Sequence, residues 1–260
     1  MSAATLLYSI QQNILRIGGP ILITMGSISC ILNLMVFTKD TLRKNPCTIC
    51  FVAINIINFS YFYLGLLFTT LAVGYNIDPS ASNIAFCRFR YYVGLVLACW
   101  ESSYIILASI DHTLVTSPNA GTRKLSTRRL IATSMISIGL FWILFHIHAL
   151  IFMGILQFDP NYFVCFYQPG IYTIIMTYYI LVINGILPPL LMAIFGFWTV
   201  KNIRQIRRST HHSGSINIAH TGVTMVGRPH TLQSKDKQLM RILFVDIIIF
   251  VICKFPVTIF

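Results

Sequence analysis

The chain offers seven Asp and Glu side chains among 260 residues. Glu101 and Asp246 stand inside long apolar runs, and Asp111 closes another. A carboxylate at mid-membrane costs about 2.5–3.5 kcal/mol even on the lenient insertion scale, so it must face protein and serve an ion site, a proton site or an ion pair. Asp111 is followed directly by His112, whose side-chain type titrates near physiological pH. Asp246, Phe250 and Lys254 recur at i, i+4 and i+8, which sets an acid, a ring and an ammonium on one helical face. That face must look inward, because Asp246 and Lys254 are costly in lipid. Lys254 then meets either an acidic ligand group or a structural partner such as Glu101. His146 and His148 have no cysteine or carboxylate pattern beside them of the kind zinc needs. Neither a Ser-His-Asp order within one compartment nor a phosphate-cradling glycine loop is present. The expectation is recognition and switching, with no enzyme activity, cofactor or metal.

The elements that hold these residues are membrane helices. The chain is 56% apolar and 10% charged, against about 25% charged in ordinary soluble domains. Mean hydropathy is +0.74. Six apolar runs, at roughly 17–38, 46–74, 84–113, 129–156, 171–200 and 238–260, each reach the roughly 20 residues that a helix needs to cross a bilayer. Alternating ten-residue segments, which a barrel would need, are absent. The expected fold is therefore all-α and membrane-embedded, one domain over 1–260, with a flexible polar loop at 201–237.

Charge gives the orientation. The net charge is +12, and fifteen of the nineteen Lys and Arg fall in 39–44, 123–129 and 201–241. The stretches near 75–83 and 157–170 contain Asp78 and Asp159 but no Lys or Arg. Basic loops alternating with neutral ones follow the positive-inside rule, so the excess positive charge orients the chain and does not call for nucleic acid. The N-terminus is then extracellular. Residues 1–16 lack a basic leader and a clear cleavage site, so the first span acts as its own insertion signal. Of seven cysteines, only Cys87 and Cys165 lie on the outer side, where a disulfide persists. Cys87 and His112 are 25 residues apart, about 37 Å along one helix, so that helix joins the outer edge to the inner one. The segment 201–208 continues the fifth span into the cytoplasm, where it meets a partner or anionic lipid or simply snorkels.

In order, these features resemble the rhodopsin-like G-protein-coupled receptors. Cys87 and Cys165 match that family's outer disulfide. Asp111-His112-Thr113 stands at its Asp/Glu-Arg-Tyr triplet, and Asn33, Trp142 and Pro188 or Pro189 match residues of its first, fourth and fifth helices. Phe250-Val251-Ile252-Cys253-Lys254-Phe255-Pro256 matches its sixth-helix motif. The texture, including Arg43 to Cys47, is most similar to orphan, peptide-receptor-like invertebrate members. The resemblance implies a bundle with six of seven helices, an extracellular ligand such as a peptide, a heterotrimeric G protein as partner, and the plasma membrane as location.

Departures from the family carry their own expectations. His112 replaces the family arginine, and Asp236 takes the place of the acid that arginine pairs with, which implies a weakened, pH-sensitive contact. Asn58 replaces the aspartate of the family's sodium pocket. Glu101 lies at matching depth and either restores an ion or proton site or hydrogen-bonds to Asn58. Lys254 stands where the family has a switch tryptophan. Gly94 occupies the place of the amine-binding aspartate, which argues against an aminergic ligand. Phe260 ends the sequence four residues past Pro256, before the place of a seventh helix, so the chain is expected to be a fragment or a truncated product. A non-signalling receptor fragment, or a six-helix transporter or channel, is the competing expectation.

Overall fold

A computed structural model describes residues 3–39, 46–159 and 162–216. The sixth span at 238–260 lies outside the described residues, as do Asp236, Asp246, Phe250, Lys254 and Pro256. The described chain is mostly helical, and five helices are long and apolar enough to cross a membrane. Helix α1 covers Ala3–Phe37. Helix α2 runs through 46–74, α3 covers Ile84–Val115 and α4 is the short Ala120–Leu125. Helix α5 comprises Arg128–Phe145 and its continuation Ile147–Phe152, and α6 runs through 171–216.

Local sequence explains three of the helix starts. Asn83 caps α3 by accepting from the amides of Ala85 and Phe86. Asn119 caps α4 through Gly121 N, and Thr127 caps α5 through Leu130 N. Each side-chain oxygen satisfies an amide that the first turn leaves open. Helix α1 starts well before residue 17, where the apolar run begins, because nothing in Ala3–Arg16 breaks a helix. Helix α6 continues to Ile216, so the first part of the 201–237 segment is helical.

The fourth span differs from expectation. Its helix ends at Phe152, and Met153–Asp159 forms strand β1, antiparallel to β2 at Tyr162–Tyr167. Residues 153–156 are thus strand and not helix. The register pairs Met153 with Tyr167 and Ile155 with Cys165. Phe163, Val164, Phe166 and Tyr167 are the aromatic and branched types that suit a pleated surface.

Two helices depart from α geometry. In α2, Phe62–Leu66 and Thr70–Gly74 are π-helical; in α6, Ile180–Ile186 is. The second case has a visible cause. Pro188 and Pro189 have no N–H to offer the carbonyls one turn back, at Asn184 and Gly185. The chain rewinds locally, and Leu187 N reaches Val182 O.

Helix α3 is the centre of the bundle: 56% of its apolar window is buried, against 22–28% for the other four. It packs against α2, α5 and α6. Its C-terminal half joins a core with Cys50, Phe51, Ile54, Met135 and Met192. Its N-terminal half joins Ala149, Met153, Cys165, Tyr167 and Met176. The outward faces carry large apolar side chains such as Ile14, Met25, Leu144, Ile171 and Phe197, as a lipid-facing surface requires.

Helices α1 and α2 approach closely at a glycine. A Cβ on Gly74 would stand 3.1 Å from both N and Cα of Arg16, and small residues are what permit such backbone contact in membranes. Gly74→Val should therefore cost about 1–3 kcal/mol by overpacking. Gly94→Ala, where a Cβ meets nothing within 4 Å, should leave stability unchanged or slightly raised. Thermal unfolding of the two variants in detergent checks the contrast, and equal midpoints would contradict the close approach.

Candidate functional site

The N-terminal end of α3 carries three anchors within four residues. Cys87 is bonded to Cys165 with Cα atoms 5.7 Å apart, which fixes β2 to the helix. Arg88 Nε donates to Met153 O at 3.2 Å, fixing β1. Arg90 reaches the other way, toward α2 and the turn before α3.

Beneath the hairpin lies a cavity of about 250 Å³ between α2, α3, β2 and α6. Tyr61, Thr69, Tyr91, Tyr167 and Asn184 bring polar atoms to it, and Gly94 leaves it room. Leu64, Gly65, Ile180 and Asn184 come from the π-helical segments or their borders, and such segments are frequent at functional sites. Burial in β2, with Tyr91 and Tyr172 nearby, pushes the Tyr167 phenol above its ordinary value. Tyr167 therefore stays neutral at physiological pH.

Arg90 is the one charged residue lining the cavity among the described residues. Its guanidinium donates to Ser80 Oγ and Thr69 Oγ1, each at 3.1 Å. Asp78 stands 3.6 Å away, beyond hydrogen-bond reach. The Asp78 oxygen nearest Arg90 already accepts from Ser80 N and Ser80 Oγ, because Asp78 caps the turn Pro79–Ala81. The strong paired bonds that a guanidinium forms with a carboxylate are thus not made there.

A second polar group crosses the middle of the bundle. His146 is fully buried. Its Nδ1 lies 2.9 Å from Trp142 O and its Nε2 lies 3.1 Å from the Tyr179 hydroxyl. A carbonyl only accepts, so Nδ1 carries the proton and Nε2 accepts from Tyr179. The Cys99 thiol joins, 3.5 Å from both the Tyr179 hydroxyl and Asn184 Oδ1. His148 pairs with the Tyr172 hydroxyl at 2.8 Å. No cluster of three or more His, Cys, Asp or Glu suited to a metal occurs among the described residues.

At the C-terminal end of α3, Asp111 and His112 are 1% and 5% exposed. Asp111 Oδ1 accepts from the Ser126 hydroxyl. The His112 ring turns toward α2, with Nε2 3.5 Å from Cys47 Sγ and the ring 6.5 Å from that of Phe51. Thr113 is the residue that faces α6. Its hydroxyl bonds to Thr199 Oγ1 at 3.0 Å and Phe195 O at 3.2 Å, and its carbonyl accepts from Asn202 Nδ2. Whether His112 meets Asp236 lies outside the described residues.

Glu101 is buried on α3, and Asn58 is half-buried on the neighbouring α2. One turn before Asn58, Asn55 Oδ1 accepts from Asn33 Nδ2 at 3.3 Å, and Asn55 Nδ2 donates to Phe51 O at 2.8 Å. Asn55 was missed because depth counted along the sequence does not tell which of two asparagines one turn apart faces α1. The Cys99–His146–Tyr179–Asn184 group was missed because its members come from three helices that no local pattern links.

No protein-family model matches the chain, and no curated protein matches it significantly. The chain is thus placed by its fold: a mostly helical protein whose five long apolar helices are consistent with a membrane protein.

Proposed function

We propose that this chain is a receptor of the rhodopsin-like kind, seated in the plasma membrane with its N-terminus outside. It binds an extracellular ligand and passes the signal to a heterotrimeric G protein. One observation carries the reading. A single buried helix, α3, holds the bonded hairpin and the cavity at one end and Asp111-His112-Thr113, braced against α6, at the other. A ligand that shifts α3 or α6 in the outer half changes the Thr113–Thr199 contact at the inner face, which is the coupling a transducer needs. Arg90 suits a ligand with a carboxylate, such as the end of a peptide.

The test uses membranes bearing the chain and its His112→Arg variant, with purified G proteins added. Acceleration of nucleotide exchange by the chain, changed several-fold by the permanently charged arginine, is the expected result. Exchange no faster than in empty membranes, with every G-protein class tried, sinks the reading.

A further inference from the structure

The loop between α3 and α5 ends in a contact that invites chemistry. Ser126 directly follows α4, and its hydroxyl donates to Asp111 Oδ1. Asp111 Oδ2 is buried without a hydrogen-bond partner among the described residues. The Ser126 hydroxyl is thus a direct side-chain tie from this loop to the base of α3. It is itself only half-buried. Arg123 and Lys124 stand three and two residues before it, and Arg128 and Arg129 stand two and three after. Arg123 holds the loop through the carbonyls of Ser117 and Pro118. A helix as short as α4, six residues, unwinds readily, and can offer this basic stretch in extended form.

We propose that Ser126 is a phosphoacceptor for a basophilic serine/threonine protein kinase, and that its phosphorylation unfastens the α4 loop from Asp111. In the transfer, Ser126 Oγ bonds to the γ-phosphorus of ATP and the bond from that phosphorus to the β–γ bridging oxygen breaks. ADP leaves, and the hydroxyl proton goes to the kinase's base. Phosphorylation removes the only side-chain donor that Ser126 offered and adds a charge of about −1.5 to −2. Two anionic groups then face each other where a hydrogen bond had been. The phosphate is drawn instead to the four nearby cations, which pulls the loop away from α3. Thr127, the next hydroxyl, is committed to capping Leu130 N. The inference takes from the receptor reading only the cytoplasmic placement of this loop.

The experiment reconstitutes the full chain in sealed vesicles and adds the catalytic subunit of a basophilic kinase with ATP outside. Mass spectrometry should find phosphate on Ser126 when the N-terminus is sealed inside, and none in Ser126→Ala. The phosphorylated chain and Ser126→Glu should each unfold roughly 2–4 °C lower. Asp111→Asn should recover most of that loss in the Ser126→Glu background, because an amide can donate to the new acid. The rescue reads the Asp111 contact, and the labelling of Ser126 reads the modification itself. Phosphate on Thr127 alone, no labelling of Ser126, labelling only in the opposite orientation, or a loss that Asp111→Asn leaves unchanged overturns the proposal. None of these readouts uses a ligand or a G protein, so a failure of the receptor reading is seen separately.

Discussion

Cys87→Ser should abolish stable folding of the outer half of the protein. The disulfide closes a sequence separation of 78 residues, and the chain-entropy relation puts its removal at about 4–5 kcal/mol for a loop of that length. The loss falls on a crowded place. Both sulfurs are buried, at 0% and 2% exposure, among Leu95, Ala149, Met153, Tyr167 and Met176. A serine there buries a hydroxyl where a sulfur had packed, which adds a further penalty. The hairpin then depends on Arg88 and on its own ladder, and a two-stranded hairpin is marginal alone. The expected measurement is loss of surface labelling in cells and a strongly lowered unfolding midpoint in detergent. Cys165→Ser should match it, and the double variant should be no worse than either single one. Additive losses would mean that the two sulfurs act independently.

His146→Leu should be the next most damaging change, at about 1–3 kcal/mol. Leucine fills a comparable volume, so the loss reports hydrogen bonding and not a void. The imidazole joins Trp142 O on its own helix to the Tyr179 hydroxyl on α6. Without it, the Tyr179 hydroxyl keeps, among the described residues, only the weak Cys99 thiol at 3.5 Å, and buried hydroxyls lacking good partners are costly. Tyr179→Phe should cost less, because it removes the hydroxyl along with its need. The double variant should then be less harmed than the sum of the two, with a coupling on the order of 1 kcal/mol. Strict additivity in thermal unfolding would show that the two side chains do not depend on each other.

Much of this arrangement was legible beforehand, for identifiable reasons. Long apolar runs favour helices of membrane-crossing length, and such a helix stands in each of the five runs within the described residues. Cys87 and Cys165 were legible because compartment left no other outer pair. The hairpin was not, since Met153-Gly154-Ile155-Leu156 is as apolar as the helix before it, and a short apolar run does not distinguish strand from helix. Only the aromatic and branched run at 163–167 hinted at it. The partner of Asp111 was illegible because Ser126 comes back from a loop. The facing of His112 was illegible too: being next to a residue in sequence says little about direction, and its ring turns to α2 while Thr113 turns to α6.

Each π-helical turn in α2 and α6 amounts to one extra residue threaded into an otherwise ordinary coil. At 3.6 residues per turn, one added residue swings everything beyond it by about 100°. The outer ends of these two helices are therefore dialled independently of their inner ends. Removing one residue within 62–66 or 180–186 is then less a shortening than a twist. It would turn Thr69, or the stretch holding His148's partner Tyr172, out of the interior while leaving the membrane crossing intact.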